Sequence, residues 1–365
     1  MRSSRAAVIA GPERIDFVNI PHPDGYDDWG MIAVEACGLC GTDAEQYSGH
    51  FTGSMWGDQP LVPGHEVVGV IEQMSSGLAA QKFVVGDRIA IEPNIPCGRC
   101  AQCLNGTYVS CAGWPTRPFS HGFIPVSQAP SLWGGYAQRM YLHPNTVVHR
   151  VPSSLTAGEA SIFNAVATGF EWAVRAPQLT FGQTVLVLGA GQRGIASMSA
   201  AKAAGASAVG MTGTANDRQR LRVADELGAD LALCIDDRDF ENRLLEITDG
   251  AGFDVVVDTS AGAVQPLETA VRLVKDQGTV VMAGLKGGRR ADIDVDQVVL
   301  KGITMMGVRS ASYDAYEQAL AHLCNEPRLR GLRTHVYSLD RVREAMQALV
   351  VAPPDRVYVG LDIQR

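Results

Sequence analysis

The ten residues Val185-Leu186-Val187-Leu188-Gly189-Ala190-Gly191-Gln192-Arg193-Gly194 constrain the fold more than any other part of the chain. The apolar run 184–188 reads as a strand buried on both faces, and the alanine-rich stretch 194–204 reads as a helix. Between them stands G-x-G-x-x-G. Glycines at this spacing let the backbone turn tightly and approach a pyrophosphate held on the helix N-terminus. An ordinary strand-to-helix turn has no need of all three. The segment therefore predicts a dinucleotide site built on Gly189, Gly191 and Gly194.

The chain changes character near residue 150. Before it, short alternating runs broken by Gly and Pro read as strands at 6–10, 31–36, 67–73, 88–91 and 135–142. After Pro152, apolar runs at 184–188, 208–212, 231–235, 253–258 and 279–283 alternate with helical stretches at 194–204, 216–227 and 266–274. Repeated strand–helix–strand units predict an α/β fold with a doubly wound parallel sheet. The tail offers a strand at 303–308, a helix at 313–323 and a last strand at 357–362, and is free to return to the first domain. No internal repeat or low-complexity segment interrupts this plan.

Two domains are the natural reading of 365 residues at roughly 150 per domain. With 46% hydrophobic and 19% charged residues the chain can bury sizeable cores, which excludes a disordered protein. The net charge of −8 without any basic block argues against nucleic-acid or anionic-membrane partners, leaving small molecules. Residues 1–10 lack the apolar core and cleavage site of a signal peptide, and no apolar run is long enough to span a bilayer; the expectation is a cytoplasmic protein. In such a setting the eight cysteines read as thiols or metal ligands, and six of them fall between Cys37 and Cys111.

Four of these form Cys97-x-x-Cys100-x-x-Cys103-x7-Cys111, a spacing that fits a closed tetrahedral zinc site. With every position filled by protein, such a metal is structural; an iron–sulfur cluster usually shows other spacings. A third constellation is Cys37-Gly38-Leu39-Cys40-Gly41-Thr42-Asp43 with Gly64-His65-Glu66. Alone, the C-x-x-C suggests a redox dithiol and the His-Glu pair a structural role. Beside a closed zinc site and a nucleotide fold, the mixed set reads instead as an open catalytic zinc site.

Nucleotide choice stays open. The second strand of the nucleotide fold ends at Thr212-Gly213-Thr214, without the carboxylate that usually binds the ribose hydroxyls of NAD. Gly213 leaves room and Arg218 can pair with a 2′-phosphate, which leans toward NADP. Equally, Asp217 caps the next helix and Arg218 is a solvated helix residue.

Taken in order, C-G-x-C-G-T-D, P-G-H-E at 63–66, the four-cysteine lobe and G-x-G-x-x-G resemble the zinc-containing medium-chain dehydrogenases/reductases, which include alcohol, polyol and threonine dehydrogenases. The resemblance covers nearly the whole chain. It implies a GroES-like β catalytic domain at 1–160 and 300–365 with a zinc lobe at about 93–115, a Rossmann domain at 161–299, an active site in the cleft between them, and a homodimer or homotetramer. It also implies zinc ligation by Cys40 and His65, with Glu66 as a direct or alternating third ligand and Asp43 behind them. Thr42 takes the place of the hydroxyl that accepts the substrate proton. Asn164 stands where relatives carry a further Cys or Glu near the metal, so it either reaches the zinc or leaves it to Cys40, His65 and Glu66. Glu159 is a lesser candidate. Cys37 is expected to be packed, and Glu45 occupies the position of a proton-releasing histidine. On the cofactor side the resemblance assigns Thr168, Gly284, Leu285 and Arg356, with Ser260 and Gly262 toward the adenosine; a solvated role for Arg356 is equally compatible.

The reaction implied is hydride transfer between an alcohol and NAD or NADP, with one catalytic and one structural zinc per chain. Aromatic residues at 51–56 and 114–123 and at Trp133 suggest an apolar cyclic or aromatic secondary alcohol, or alternatively pack the lobe or an interface. Competing readings are a polyol, sugar or amino-alcohol dehydrogenase, a zinc-independent enone or quinone reductase, and a zinc-stabilised nucleotide-binding protein without dehydrogenase activity.

Overall fold

The computed structural model describes residues 2–22, 28–51, 59–113 and 120–364. The chain divides into two compact units, Met1–Asn164 with Leu323–Arg365, and Ala165–His322.

In the first unit, β1 (Ser3–Gly11) and β2 (Arg14–Pro21) pair antiparallel. Next come β3 (Gly30–Leu39), β4 (Glu66–Gln73), β5 (Arg88–Ile91), β6 (Arg139–Leu142) and β7 (Val148–Arg150). The second unit contributes β8 (Thr184–Leu188), β9 (Ala208–Gly213), β10 (Leu231–Cys234), β11 (Phe253–Asp258), β12 (Val274–Met282) and β13 (Thr304–Gly307). The chain then returns to the first unit as β14 (His335–Ser338) and β15 (Val359–Asp362).

The first unit's main sheet runs β14-β15-β3-β4-β5-β7. Strand β3 is shared along its length: β6 pairs with Gly30–Ala33, and β15 pairs with Ala36–Leu39. Ile32, Val34, Leu39, Val67, Ile71, Ile89 and Ile91 fill its core, closed by Val342, Ala345, Met346 and Leu349 of helix Val342–Val351. Each such side chain, fully buried, contributes about 1.5–3 kcal/mol to folding before entropy is counted.

The second unit is a six-stranded, wholly parallel sheet in the order β10-β9-β8-β11-β12-β13. Order reverses between β8 and β11, and in sheets of this kind ligands bind at the strand C-termini beside that reversal. The glycine turn lies there, directly after β8. The segment 303–308, free by sequence to join the first domain, instead forms β13 and pairs with β12. The two units therefore divide at 164/165 and 322/323, whereas the sequence placed the divisions at 160/161 and 299/300. The physical reason is pairing: residues 304–307 complete the parallel ladder, and helix Tyr313–Asn325 follows in the same unit up to His322. Among the described residues no helix is long and apolar enough to cross a membrane.

Candidate functional site

Strands β3 and β4 run antiparallel with Gly38 opposite Glu66. The chain leaving β3 at Cys40 and the chain entering β4 at His65 consequently meet at one end of the sheet. Cys40 Sγ lies 3.2 Å from His65 Nε2. Thiolate and imidazole ligands of one tetrahedral zinc stand about 3.6 Å apart, so the pair needs to open by only a few tenths of an ångström to hold the ion.

Behind the imidazole, Asp43 Oδ1 stands 3.7 Å from His65 Nδ1, and Asp43 Oδ2 accepts the Cys40 backbone N–H at 2.8 Å. The ligand atoms of Cys40, Asp43 and His65 fall within 4.8 Å of one another. Because Asp43 addresses Nδ1 while Cys40 addresses Nε2, the carboxylate suits orienting the ring rather than ligating beside Cys40. Asp43 Oδ1 and His65 Nδ1 are buried with no hydrogen-bond partner among the described residues. A cation on Nε2 would leave the proton on Nδ1, facing that carboxylate, so the donor set fits a metal. Burial pushes the Asp43 carboxyl up to about 8 against the opposing pull of His65.

Glu66 and Asn164 are arranged differently from a direct ligand pair. Asn164 Nδ2 donates to Glu66 Oε1 at 2.9 Å, and Tyr358 Oη donates to Glu66 Oε2 at 2.7 Å. These donors turn the carboxylate toward the amide and the phenol, and the acidic residue grouped with Cys40 and His65 is Asp43 rather than Glu66. Gly38 makes this possible, since a Cβ there would overlap both Tyr358 Oη and Glu66 Oε2. Glu159 is likewise engaged elsewhere, capping its own helix through Thr156. Cys37 is fully buried and packed against Gly64 and Gly135.

Thr42 is half-buried on helix Gly41–Tyr47, between Cys40 and Asp43. Glu45, on the same helix, is exposed and pairs with His50 Nδ1 at 3.1 Å. Of the aromatic residues singled out above, Trp56, Trp114 and Phe119 lie outside the described residues. Trp133 packs with Ile95 and Ile124 in the core. Phe123 does face the site: its ring centroid is 5.2 Å from that of His65, and it also packs with the cysteine lobe.

In the lobe, the Sγ atoms of Cys97 and Cys103, Cys100 and Cys103, and Cys100 and Cys111 are 3.8, 3.5 and 3.9 Å apart. Four thiolates at 2.3 Å around a tetrahedral zinc are about 3.8 Å apart, whereas a disulfide would bring two sulfurs to about 2 Å. Backbone N–H groups of Arg99 and Cys100 draw the Cys97 thiol down to about 6, as a thiolate ligand needs. Tyr108, within the lobe, donates to the buried Glu92, which also pairs with His149 at 2.9 Å.

In the second unit, Gly189 has φ +103° and Gly194 packs so closely on the Gly189 carbonyl that a Cβ would overlap it. A Cβ on Gly191 would meet nothing within 4 Å, leaving the helix N-terminus open to a ligand. The turn thus fits a dinucleotide. Thr168 lies on helix Phe163–Phe170 and accepts from Arg193. Gly284 packs on the Ser260 carbonyl, and Leu285 is exposed. Ser260 and Lys286 both bond to Asp258, and Gly262 N–H donates to the Leu285 carbonyl.

Three cofactor expectations meet a different arrangement. The space beside Gly213 is taken: a Cβ there would stand 2.7 Å from Asp217 Cβ and 3.1 Å from Ala190. Asp217 accepts from Thr214 and pairs with Arg220. Arg218 is exposed and pairs with Asp237 at 3.1 Å. Arg356 lies in the first unit, half-buried, its N–H donating to the Pro353 carbonyl. Sequence reasoning missed Tyr358 and the Arg193–Thr168 contact, because nothing local marks a partner so far along the chain.

Residues 26–153 match the alcohol dehydrogenase GroES-like domain, and residues 194–325 match the zinc-binding dehydrogenase family. A probable alcohol dehydrogenase of Mycobacterium tuberculosis is 40% identical over 321 residues, 87% of this chain and 86% of the relative. A sorbitol dehydrogenase of Bombyx mori is 30% identical over 351 residues, 95% of each chain. An Escherichia coli oxidoreductase/dehydrogenase of unknown specificity is 25% identical and superposes over 99% of each chain with a TM-score of 0.86. Relatives of this similarity over this length, on a fold that brings Cys40 to His65, show that the chain belongs to the zinc-containing medium-chain dehydrogenase/reductase family of alcohol and polyol dehydrogenases.

Proposed function

We propose that the protein is a zinc-dependent alcohol dehydrogenase that moves a hydride between a secondary alcohol and NAD or NADP. The observation that carries this reading is the buried Cys40–His65 pair, with Asp43 behind the imidazole, in a chain of this family. Cys40 and His65 would hold the catalytic ion, and Cys97, Cys100, Cys103 and Cys111 a second, structural one. When bound, zinc supplies Lewis acidity toward the substrate oxygen, and the dinucleotide supplies the hydride acceptor. Asp43 fixes the tautomer and angle of His65. The Thr42 hydroxyl takes the substrate proton, and Phe123 shields the imidazole from water. Glu66, held by Asn164 and Tyr358, keeps a carboxylate at the edge of the site as a third ligand in reserve.

An apolar cyclic or aromatic substituent suits the ring of Phe123. A polyol is the second reading, favoured by the sorbitol dehydrogenases among the relatives. Free cysteines throughout the described residues suit a reducing compartment such as the cytoplasm. The exposed Leu285, Val295, Val299 and Leu300, with the open edge strand β13, suit burial against a second copy of the chain. A panel of cyclic, aromatic and polyhydric alcohols assayed with NAD and with NADP, before and after chelation, tests the reading. Alcohol-dependent reduction lost on chelation supports it, and full activity in metal-free protein refutes it.

A further inference from the structure

Beyond Phe170, helix Phe163–Phe170 widens into a π-helical turn, Glu171–Arg175. Such turns are rare and recur at functional positions. Side chains of this turn converge on one short loop, the one that leaves β13. Trp172 Nε1 donates to the Ser310 carbonyl at 3.1 Å. Glu171 Oε2 accepts from both the backbone N–H and the hydroxyl of Ser312, at 3.1 and 2.5 Å. Arg175 Nε donates to that same hydroxyl at 3.1 Å, and its Nη2 to Asp314 Oδ2 at 2.9 Å. Between the tethers Ser310 has φ +58°, a left-handed conformation that a residue with a Cβ adopts at a cost. Strain of this kind persists only where the surroundings over-determine it, and it gathers at ligand contacts.

The place of the loop in the sheet says which ligand. Val308 N–H donates to the Met282 carbonyl at 3.0 Å, so the loop starts at the strand C-termini, the end of the sheet that also carries the glycine turn. In a fold of this kind the end of the second strand, here β9, takes the adenosine ribose. The other half of the dinucleotide then extends to the opposite side of the order reversal, toward β11, β12 and β13. Trp172 links the two regions: the Arg193 guanidinium, from the first turn after the glycines, stands 5.4 Å from the centre of its ring, while its indole N–H holds Ser310.

We propose that Trp172 and Glu171 are positioning residues for the nicotinamide half of the cofactor, locking residues 308–312 in the backbone shape that meets it. The proposal rests on the dinucleotide reading above. The competing account is that the tethers only brace helix Tyr313–Asn325 against the π turn.

Calorimetric titration of the full-length, zinc-loaded protein with two matched pairs separates these accounts: NAD against ADP-ribose, and NADP against 2′-phospho-ADP-ribose. Within each pair only the nicotinamide is lost. Trp172→Phe deletes the indole donor and keeps a ring beside Arg193. It should weaken whichever dinucleotide the wild type binds by about fivefold or more, as expected for one lost hydrogen bond, and leave the nicotinamide-free member of the pair unchanged. Glu171→Ala should show the same split, and Glu171→Gln, which keeps an acceptor for Ser312, a smaller one. Equal losses on both members of a pair, or unchanged affinities in folded variants, overturn the positioning role while the nucleotide site stands. Wild-type protein that binds no dinucleotide overturns the dinucleotide reading itself, and the positioning role with it.

Discussion

Tyr358 Oη donates to Glu66 Oε2 across 2.7 Å although the two residues are 292 positions apart. The same hydroxyl lies 2.7 Å from the Ser161 carbonyl, and Asn164 holds the other carboxylate oxygen, so the site's acidic residue is fixed from two distant segments of the first unit. Tyr358→Phe removes one donor from a fully buried carboxylate at nearly constant volume. It should cost about 1–3 kcal/mol of stability and leave the catalytic zinc in place, as measured by melting and by metal analysis. Asn164→Ala should also keep two zinc ions per chain, since the amide serves Glu66; a drop to one would make Asn164 a ligand.

Cys103→Ser breaks the thiolate set of the lobe. Zinc content should fall from two ions per chain to one and the melting temperature by about 5 °C or more, while the chemistry of the folded fraction changes little. A variant of full stability without lobe metal would contradict the structural role.

Asp237 holds Arg218 in an exposed ion pair. Asp237→Asn releases the guanidinium and should raise the NADP-over-NAD affinity ratio severalfold, whereas Arg218→Ala should lower it. Both changes should leave the melting temperature nearly unchanged, because exposed pairs contribute little. Ratios unmoved by either substitution would remove Arg218 from cofactor choice.

His121 is buried beside Thr146, and burial depresses its imidazole to about 3. The unfolded chain takes up this proton near pH 6.5 and the folded one only near 3. This group's contribution is therefore fully present above pH 6.5 and is lost as pH falls toward 3. Unfolding free energy measured between pH 7 and 4 should fall in the wild type and fall less steeply in His121→Gln; parallel curves would rule this group out.

What the sequence discloses follows from how local each signal is. Strands β8 and β11 coincide with the expected runs at 184–188 and 253–258, because a strand buried on both faces is an unbroken apolar run. The three- and four-residue strands β7 and β14 show no such run, since pairing with a neighbour rather than pattern defines them. The lobe cysteines are legible because their spacing alone brings four sulfurs together. Glu66 is not legible in the same way. Its partners Asn164 and Tyr358 come from a helix start and the residue just before a returning strand, and the β15–β3 pairing is what carries Tyr358 to it.

The proton step is tested by Thr42. Thr42→Ala should keep both zinc ions and the fold but slow hydride transfer by about 10²–10⁴-fold, while Thr42→Ser retains much of the rate. Undiminished transfer in Thr42→Ala would sink the assignment.

Metal content and turnover of His65→Ala, measured on one preparation, test the central claim most directly. The imidazole is one of two side chains that meet at the catalytic position, while the lobe and the glycine turn are built from other residues. The account predicts one zinc per chain instead of two, loss of nearly all alcohol-dependent NAD(P) reduction, and dinucleotide affinity close to that of the wild type. Full zinc-dependent activity in His65→Ala would contradict it.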